Sequence, residues 1–257
     1  STQAKTLFPY TTLFRSRCES HVENGKPTVR GWFDVFLQRS SFRIHHVPLM
    51  SPVDFRLYLV TDRHQTAGRP LVSVLAQAVR AGVRAVQLRE RDLPIREVYA
   101  LAQELQRELP DARLFINDRV DVTMALRTGG VHLRESSLPA GVVRDLLSPS
   151  QLLGLSVHSL DGVRAAEQHG ADFVVLGPIY DTPSKRVYGP PIGLRILEQA
   201  AQSVRLPIFA IGGITATRAR TVRQAGAFGV AVLSSILGAE NIEQATQDLL
   251  SAIEIDS

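Results

Sequence analysis

From Phe55 onward the chain alternates short apolar runs with longer stretches in which apolar residues recur at helical spacing. Runs rich in Val, Ile and Leu read as strands buried on both faces, and their regular alternation with amphipathic helices predicts repeated parallel βα units. Eight strands are expected: FRLYLVTD from Phe55, AVQLRE from Ala85, RLFIND from Arg113, GVHL from Gly130, LLGLSVH from Leu152, FVVLGPI from Phe173, PIFAIGG from Pro207 and GVAVLSS from Gly229. The Ala-Gly or His-Gly pairs ending at Gly82, Gly170 and Gly226 precede strands, as helix C-caps do. Eight consecutive units predict closure, so the expected class is α/β, a single-domain (β/α)8 TIM barrel over residues 53–255. An open doubly wound sheet would show a glycine-rich dinucleotide fingerprint after its first strand, and Leu59 to Arg63 has none.

Residues 1–50 break this pattern, with neither helical nor strand periodicity. The run TLFPYTTLFRS from Thr6 matches the translation of a widely used sequencing-library adaptor. The segment is therefore expected to be a non-native or disordered extension, with Met50 as the native start. Charge supports the division. The formal charge of +4 comes from 29 basic and 25 acidic residues, of which seven basic and three acidic lie in residues 1–50, leaving 22 of each in the barrel. A neutral barrel argues for no nucleic acid partner. The single cysteine, Cys18, lies in the same first segment, so the barrel has no thiol for a disulfide or for covalent catalysis. No apolar run approaches the ~18–20 residues of a spanning helix, which implies no membrane partner and a cytoplasmic location. Homo-oligomer formation is left open.

Active sites of this fold form at the C-terminal ends of the strands. There the chain carries Gln87, Arg89 and Arg91 after the second strand, Asn117 and Asp118 after the third, and Ser156 and His158 after the fifth. Thr182, Ser184 and Lys185 follow the sixth, Gly212 and Gly213 the seventh, and Leu233 and Ser234 the eighth. The paired Gly-Gly and Ser-Ser loops after the last two strands fit a phosphate held by backbone N–H groups and a helix N-terminus, so a small phosphorylated substrate is expected. Arg89 and Arg91 suit bidentate contacts to phosphate oxygens; the alternative is a charged loop paired with Asp62 or Asp92. His158 at a strand end suits acid/base work near neutral pH.

Together QLRER, FINDR, GVHL, SVHS, GPIYDTPSK, IGGI and GVAVLSS, in this order across Val53 to Ile253, resemble the thiamine-phosphate synthase/TenI family. The resemblance implies a pyrimidine-diphosphate side at Gln87, Arg89, Arg91, Asn117, Ser156 and Lys185. It implies a thiazole-phosphate side at Thr182, Ser184, Gly213, Leu233 and Ser234. The synthase branch joins a hydroxymethylpyrimidine diphosphate to a carboxythiazole phosphate, with Mg2+ held by two carboxylates. Asp118 matches the first; Ser137 stands where the second belongs. The TenI-type branch, a thiazole tautomerase, needs no cofactor and assigns proton transfer to a histidine at the position of His158. The expected function is therefore thiazole tautomerase. Thiamine phosphate synthase with Mg2+ is the alternative, and a non-catalytic thiazole- or thiamine-phosphate-binding regulator is the reading from another class.

Overall fold

The computed structural model describes residues 53–182 and 190–254. Residues 1–50, Ser184 and Lys185, with the expectations attached to them, lie outside the described residues.

All eight expected strands form: β1 Leu57–Val60, β2 Ala85–Leu88, β3 Arg113–Asn117, β4 Gly130–Arg134, β5 Leu152–Val157, β6 Phe173–Leu176, β7 Ile208–Ile211 and β8 Gly229–Val232. They pair in parallel in chain order, and β8 pairs back onto β1 to close the barrel. Among the described residues the intervening helices are α1 Leu71–Arg80, α2 Ile95–Glu108, α3 Val120–Leu126, α4 Ala140–Leu146, α5 Leu160–Gln168, α6 Gly193–Ser203 and α7 Ala216–Gln224. A one-turn α8 Ser234–Leu237 and the closing α9 Ile242–Ile253 follow. No described helix is long and apolar enough to cross a membrane. Gly82, Gly170 and Gly226 follow α1, α5 and α7 with φ of +121°, +78° and +95°. This is the left-handed region where a Cβ is costly, which is why the sequence stops its helices there with glycine.

Alternation along each strand sorts side chains between two cores. Leu57, Leu59, Val86, Leu88, Leu114, Ile116, Val174 and Leu176 face outward into the layer shared with the helices. Tyr58, Phe115, Phe173 and Phe209 point into the lumen, where Phe55 joins them from the N-terminal end; ring centroids lie 5.3–6.0 Å apart. Three of these lumen phenylalanines sit beside a glycine on the adjoining strand: Phe115 by Gly130, Phe173 by Gly154 and Phe209 by Gly229. Large rings fill the N-terminal half of the barrel because the neighbouring strand presents no side chain. The polar lumen positions that follow (Gln87, Asn117, His132 and Ser156) are thereby raised toward the C-terminal mouth.

Candidate active site

Just above the aromatic plug, Gln87 Nε2 donates to Asn117 Oδ1 at 3.0 Å, and Asn117 Nδ2 donates to Asp118 Oδ2 at 3.2 Å. Beside them His132 is fully buried, with Nδ1 3.3 Å from the Tyr58 hydroxyl and Nε2 2.9 Å from Ser156 Oγ. If Tyr58 donates to Nδ1, Nε2–H donates to Ser156, and the serine proton is left for a ligand. Burial pushes the imidazole pKa down from 6.5 to about 3. His132 is thus a neutral structural link. Between those two pH values the unfolded chain binds a proton that the folded chain refuses, so stability falls as pH drops below 6.5, by up to about 1.4 kcal/mol per pH unit. His132→Gln is expected to flatten this acid-side slope in urea midpoints measured from about pH 7 to pH 4.5. An unchanged slope would assign the acid loss to other groups.

The next lumen position on β2 is Arg89. Its backbone N–H donates to Thr61 Oγ1 at 2.9 Å, and that hydroxyl donates to Glu90 Oε1 at 2.7 Å. The Glu90 side chain is 1% exposed and also accepts from Arg63 N–H at 3.2 Å and from the Arg63 guanidinium at 3.1 Å, while Arg63 holds Asp92. The acids of this rim are therefore used to fix the strand ends. Asp92 pairs with Arg63, and Asp62 accepts from His64 N–H and Gln65 Nε2, so among the described residues neither acid hydrogen-bonds Arg89 or Arg91. The Arg89 guanidinium has no hydrogen-bonded partner among the described residues; burial first, then the nearby Arg91 charge, disfavours its protonated state, against weaker attraction from Asp62 and Glu90 and with Arg134 adding a little repulsion. A half-buried cation next to two others suits a polyanion.

Asp118 adopts a left-handed φ of +59°, which aspartate tolerates better than most residues. Its Oδ1 accepts from Ser137 Oγ and from Arg134 N–H at 3.3 Å, and its Oδ2 accepts from Arg134 Nε. The residues do not fit a two-carboxylate Mg2+ site. The second acid is a hydroxyl donor, a guanidinium already occupies the first, and no cluster of three metal-ligating groups exists among the described residues. Glu135, the nearest alternative acid in sequence, accepts instead from the His158 backbone N–H at 3.2 Å.

Across the mouth, Gly212 and Gly213 follow β7 with φ of +97° and +66°. A Cβ at these positions would lie 2.7 Å from Pro178 Cα and 2.8 Å from Tyr180 Cβ, so the turn and the β6 loop meet through glycine alone. Ser235 Oγ donates to Ile214 O at 2.5 Å, tying the β7 and β8 loops together, while exposed Ser234 opens α8 after Leu233. The first turn of a helix leaves N–H groups unpaired by construction. Thr182, two residues past Tyr180, has a buried hydroxyl with no hydrogen-bond partner among the described residues. Arg218 stacks 4.6 Å from the Tyr180 ring centre and donates to Gly213 O at 2.9 Å.

His158 follows β5 with an exposed ring. A carbonyl oxygen only accepts, so Nδ1 donates to Gly177 O at 2.5 Å and Nε2 is the ring nitrogen left for another partner. Gln87, Asn117 and Ser156 therefore line one floor, with Arg89, Arg91 and Asp118 on the rim above. Thr182, Gly212, Gly213, Leu233 and Ser234 lie on the opposite loops. Thr61 stands at a strand end and Arg134 beside the would-be metal position in the sequence, but the sequence reading gave no supporting role to Thr61, Arg63 or Glu90 and no lumen-facing role to Arg134. The signal for Arg134 was there: it lies two residues beyond His132 on one strand and so shares its face.

The pattern of the family described as thiamine monophosphate synthase matches residues 57–236. A putative thiamine-phosphate synthase of Geobacter sulfurreducens is 45% identical over 207 residues, covering 79% of this chain and 97% of the relative. The thiamine-phosphate synthase of Roseiflexus castenholzii is 41% identical over 211 residues, covering 78% and 91%. Among solved structures, thiamine phosphate pyrophosphorylase from Pyrococcus furiosus aligns with a TM-score of 0.69 at 36% identity, over 77% of this chain and 95% of that one. A 3-hexulose-6-phosphate synthase at 17% identity and TM-score 0.62 shares the barrel alone. The chain belongs to the thiamine monophosphate synthase family and is one of its TIM-barrel enzymes.

Proposed function

We propose that this enzyme forms thiamine phosphate by joining a hydroxymethylpyrimidine diphosphate to a carboxythiazole phosphate. The observation that supports this reading is two groups of residues suited to anions on opposite sides of one mouth. Arg89, Arg91 and Arg134 cluster at the ends of β2 and β4, and the Gly212-Gly213 turn with Ser234 and Thr182 lies at the ends of β6, β7 and β8. A condensation of two phosphorylated substrates needs both; isomerising one phosphorylated thiazole needs only the second. The synthase names of the relatives point the same way, and the weight shifts from the tautomerase expected from sequence to the synthase alternative.

In this reading Gln87, Asn117 and Ser156 offer hydrogen bonds to the pyrimidine, and the arginines hold its diphosphate. The methylene–oxygen bond breaks with its electron pair going to diphosphate, and the thiazole nitrogen supplies the pair for the new C–N bond. Carbon dioxide then leaves, and the ring carbon takes a proton in its place. Gly213, Ser234 and Thr182 anchor the thiazole phosphate so that its nitrogen faces the methylene. The test is to supply both substrates to the purified chain and follow thiamine phosphate by mass spectrometry. Binding without product would favour the regulator instead.

One observation favours the tautomerase reading: His158, exposed at the end of β5, has its Nδ1 bonded to Gly177 O, which leaves Nε2 as the ring nitrogen open to a ligand. If the enzyme isomerises carboxythiazole phosphate, His158→Asn is expected to slow that reaction by about 10²–10⁴-fold while leaving thiazole phosphate binding unchanged. Wild-type isomerisation by the variant would remove His158 from the chemistry.

A further inference from the structure

The loop after β4 holds a charge arrangement that the family resemblance does not predict. Two carboxylates and a divalent cation sum to zero. Here one carboxylate, Asp118, and one guanidinium, Arg134, also sum to zero, and the Ser137 hydroxyl occupies the remaining carboxylate oxygen as a donor. A divalent ion added to this set would leave two uncompensated positive charges, with Asp118 already engaged through both oxygens.

Arg134 is also placed to act. Strand alternation puts it on the lumen face above His132, and the Arg134 charge is felt by Arg89 across the rim. Asp118 grips it through Nε, leaving its two terminal nitrogens without partners among the described residues, on a side chain 48% exposed. A guanidinium held by one edge and open at the other presents paired N–H donors of fixed geometry, which match two oxygens of a phosphate group.

We propose that Arg134, positioned by Asp118 and Ser137, takes the place of the metal ion at the diphosphate, so that this enzyme binds diphosphate without a divalent cation. The proposal rests on the synthase reading for its substrate. When the methylene–oxygen bond breaks, the departing diphosphate gains the electron pair and one further negative charge, and Arg134 with Arg89 and Arg91 receives it.

The experiment is calorimetric titration of inorganic pyrophosphate into the full chain, in EDTA and again with Mg2+. Wild-type protein is expected to bind in EDTA, with Mg2+ changing the affinity by no more than about threefold. Arg134→Gln is expected to weaken binding in EDTA by at least about tenfold, and Arg134→Lys, which keeps the charge without the fork, by less. The double variant Arg134→Gly/Ser137→Asp, which rebuilds two carboxylates, is expected to bind only with Mg2+. Circular dichroism verifies that each variant is folded. Wild-type binding that requires Mg2+, or Arg134→Gln affinity within about twofold of wild type, would overturn the proposal. Parallel thiamine phosphate assays separate the two claims. Metal-free, Arg134-dependent pyrophosphate binding without product sinks the synthase reading alone. Product formed only with Mg2+, and undiminished in Arg134→Gln, sinks the inference alone.

Discussion

Replacing Arg89 with alanine is expected to lower kcat/KM for thiamine phosphate formation by about three orders of magnitude while leaving the fold as stable as before or slightly more so. The two effects have one cause. Burial and the Arg91 charge outweigh the attraction that Asp62 and Glu90 exert on the Arg89 charge, and no carboxylate among the described residues hydrogen-bonds it. Such a group does not stabilise the empty barrel, whereas a diphosphate placed against it would meet a cation already stripped of much of its water. Losing a desolvated charge contact typically costs 2–5 kcal/mol, and about 4 kcal/mol corresponds to a factor of 10³ in rate. Arg89→Lys, which keeps the charge but not the fork, should fall between. The checks are steady-state kinetics and thermal unfolding on the same preparations. A variant that retains activity but melts earlier would make Arg89 a structural cation and would remove the diphosphate side of the site.

The fold was legible because its signal is local and repeated. Each strand is a short Val/Ile/Leu run, and six of the eight begin at the residue where the apolar run begins, from Ala85 on β2 to Gly229 on β8. The two exceptions are β1 and β7, where the extended segment enters before barrel pairing starts. The strand-end rule then placed Gln87, Asn117, Ser156, His158, Gly213 and Ser234 at one mouth without reference to any relative.

Partnerships across the mouth were not legible, because they join residues far apart in sequence whose pairing depends on side-chain reach. Arg63, Asp92, Arg89, Arg91 and Asp62 offered several ways to pair, and only the packed rim selects Arg63 with Glu90 and Asp92. Ser137 was read from sequence as a lost ligand. The structure adds what replaced it, since Arg134 follows one turn of alternation after His132 and turns back onto Asp118. The preference for a tautomerase came from the missing second carboxylate and from the SVHS motif that carries His158; the synthase-named relatives favour the synthase alternative, and the arginine cluster facing the Gly212-Gly213 turn suits two anionic substrates.

The barrel core offers a prediction in which two chemically identical substitutions part company. Gly154→Ala and Gly130→Ala each add one methyl inside the lumen beside a phenylalanine. At Gly154 the new Cβ would lie 2.4 Å from Phe173 Cζ and 2.7 Å from His132 Nδ1, side-chain atoms that can shift by repacking the lumen at a cost of about 1–3 kcal/mol. At Gly130 it would lie 2.1 Å from the Leu152 carbonyl oxygen, which belongs to the paired strand β5. Strand spacing is fixed by the hydrogen-bond ladder, so that clash opens the barrel wall, and the loss should reach at least about 4 kcal/mol. Phe173→Leu should therefore recover part of the Gly154→Ala loss as a favourable coupling in a double-mutant cycle. Phe115→Leu should recover none of the Gly130→Ala loss, although Phe115 Cε1 is only 2.9 Å from the added atom, because the limiting obstacle is backbone. Urea unfolding midpoints of the four single and two double variants decide the matter. Equal rescue at both sites would show that ring packing, rather than the approach of β4 to β5, sets the tolerance of the lumen.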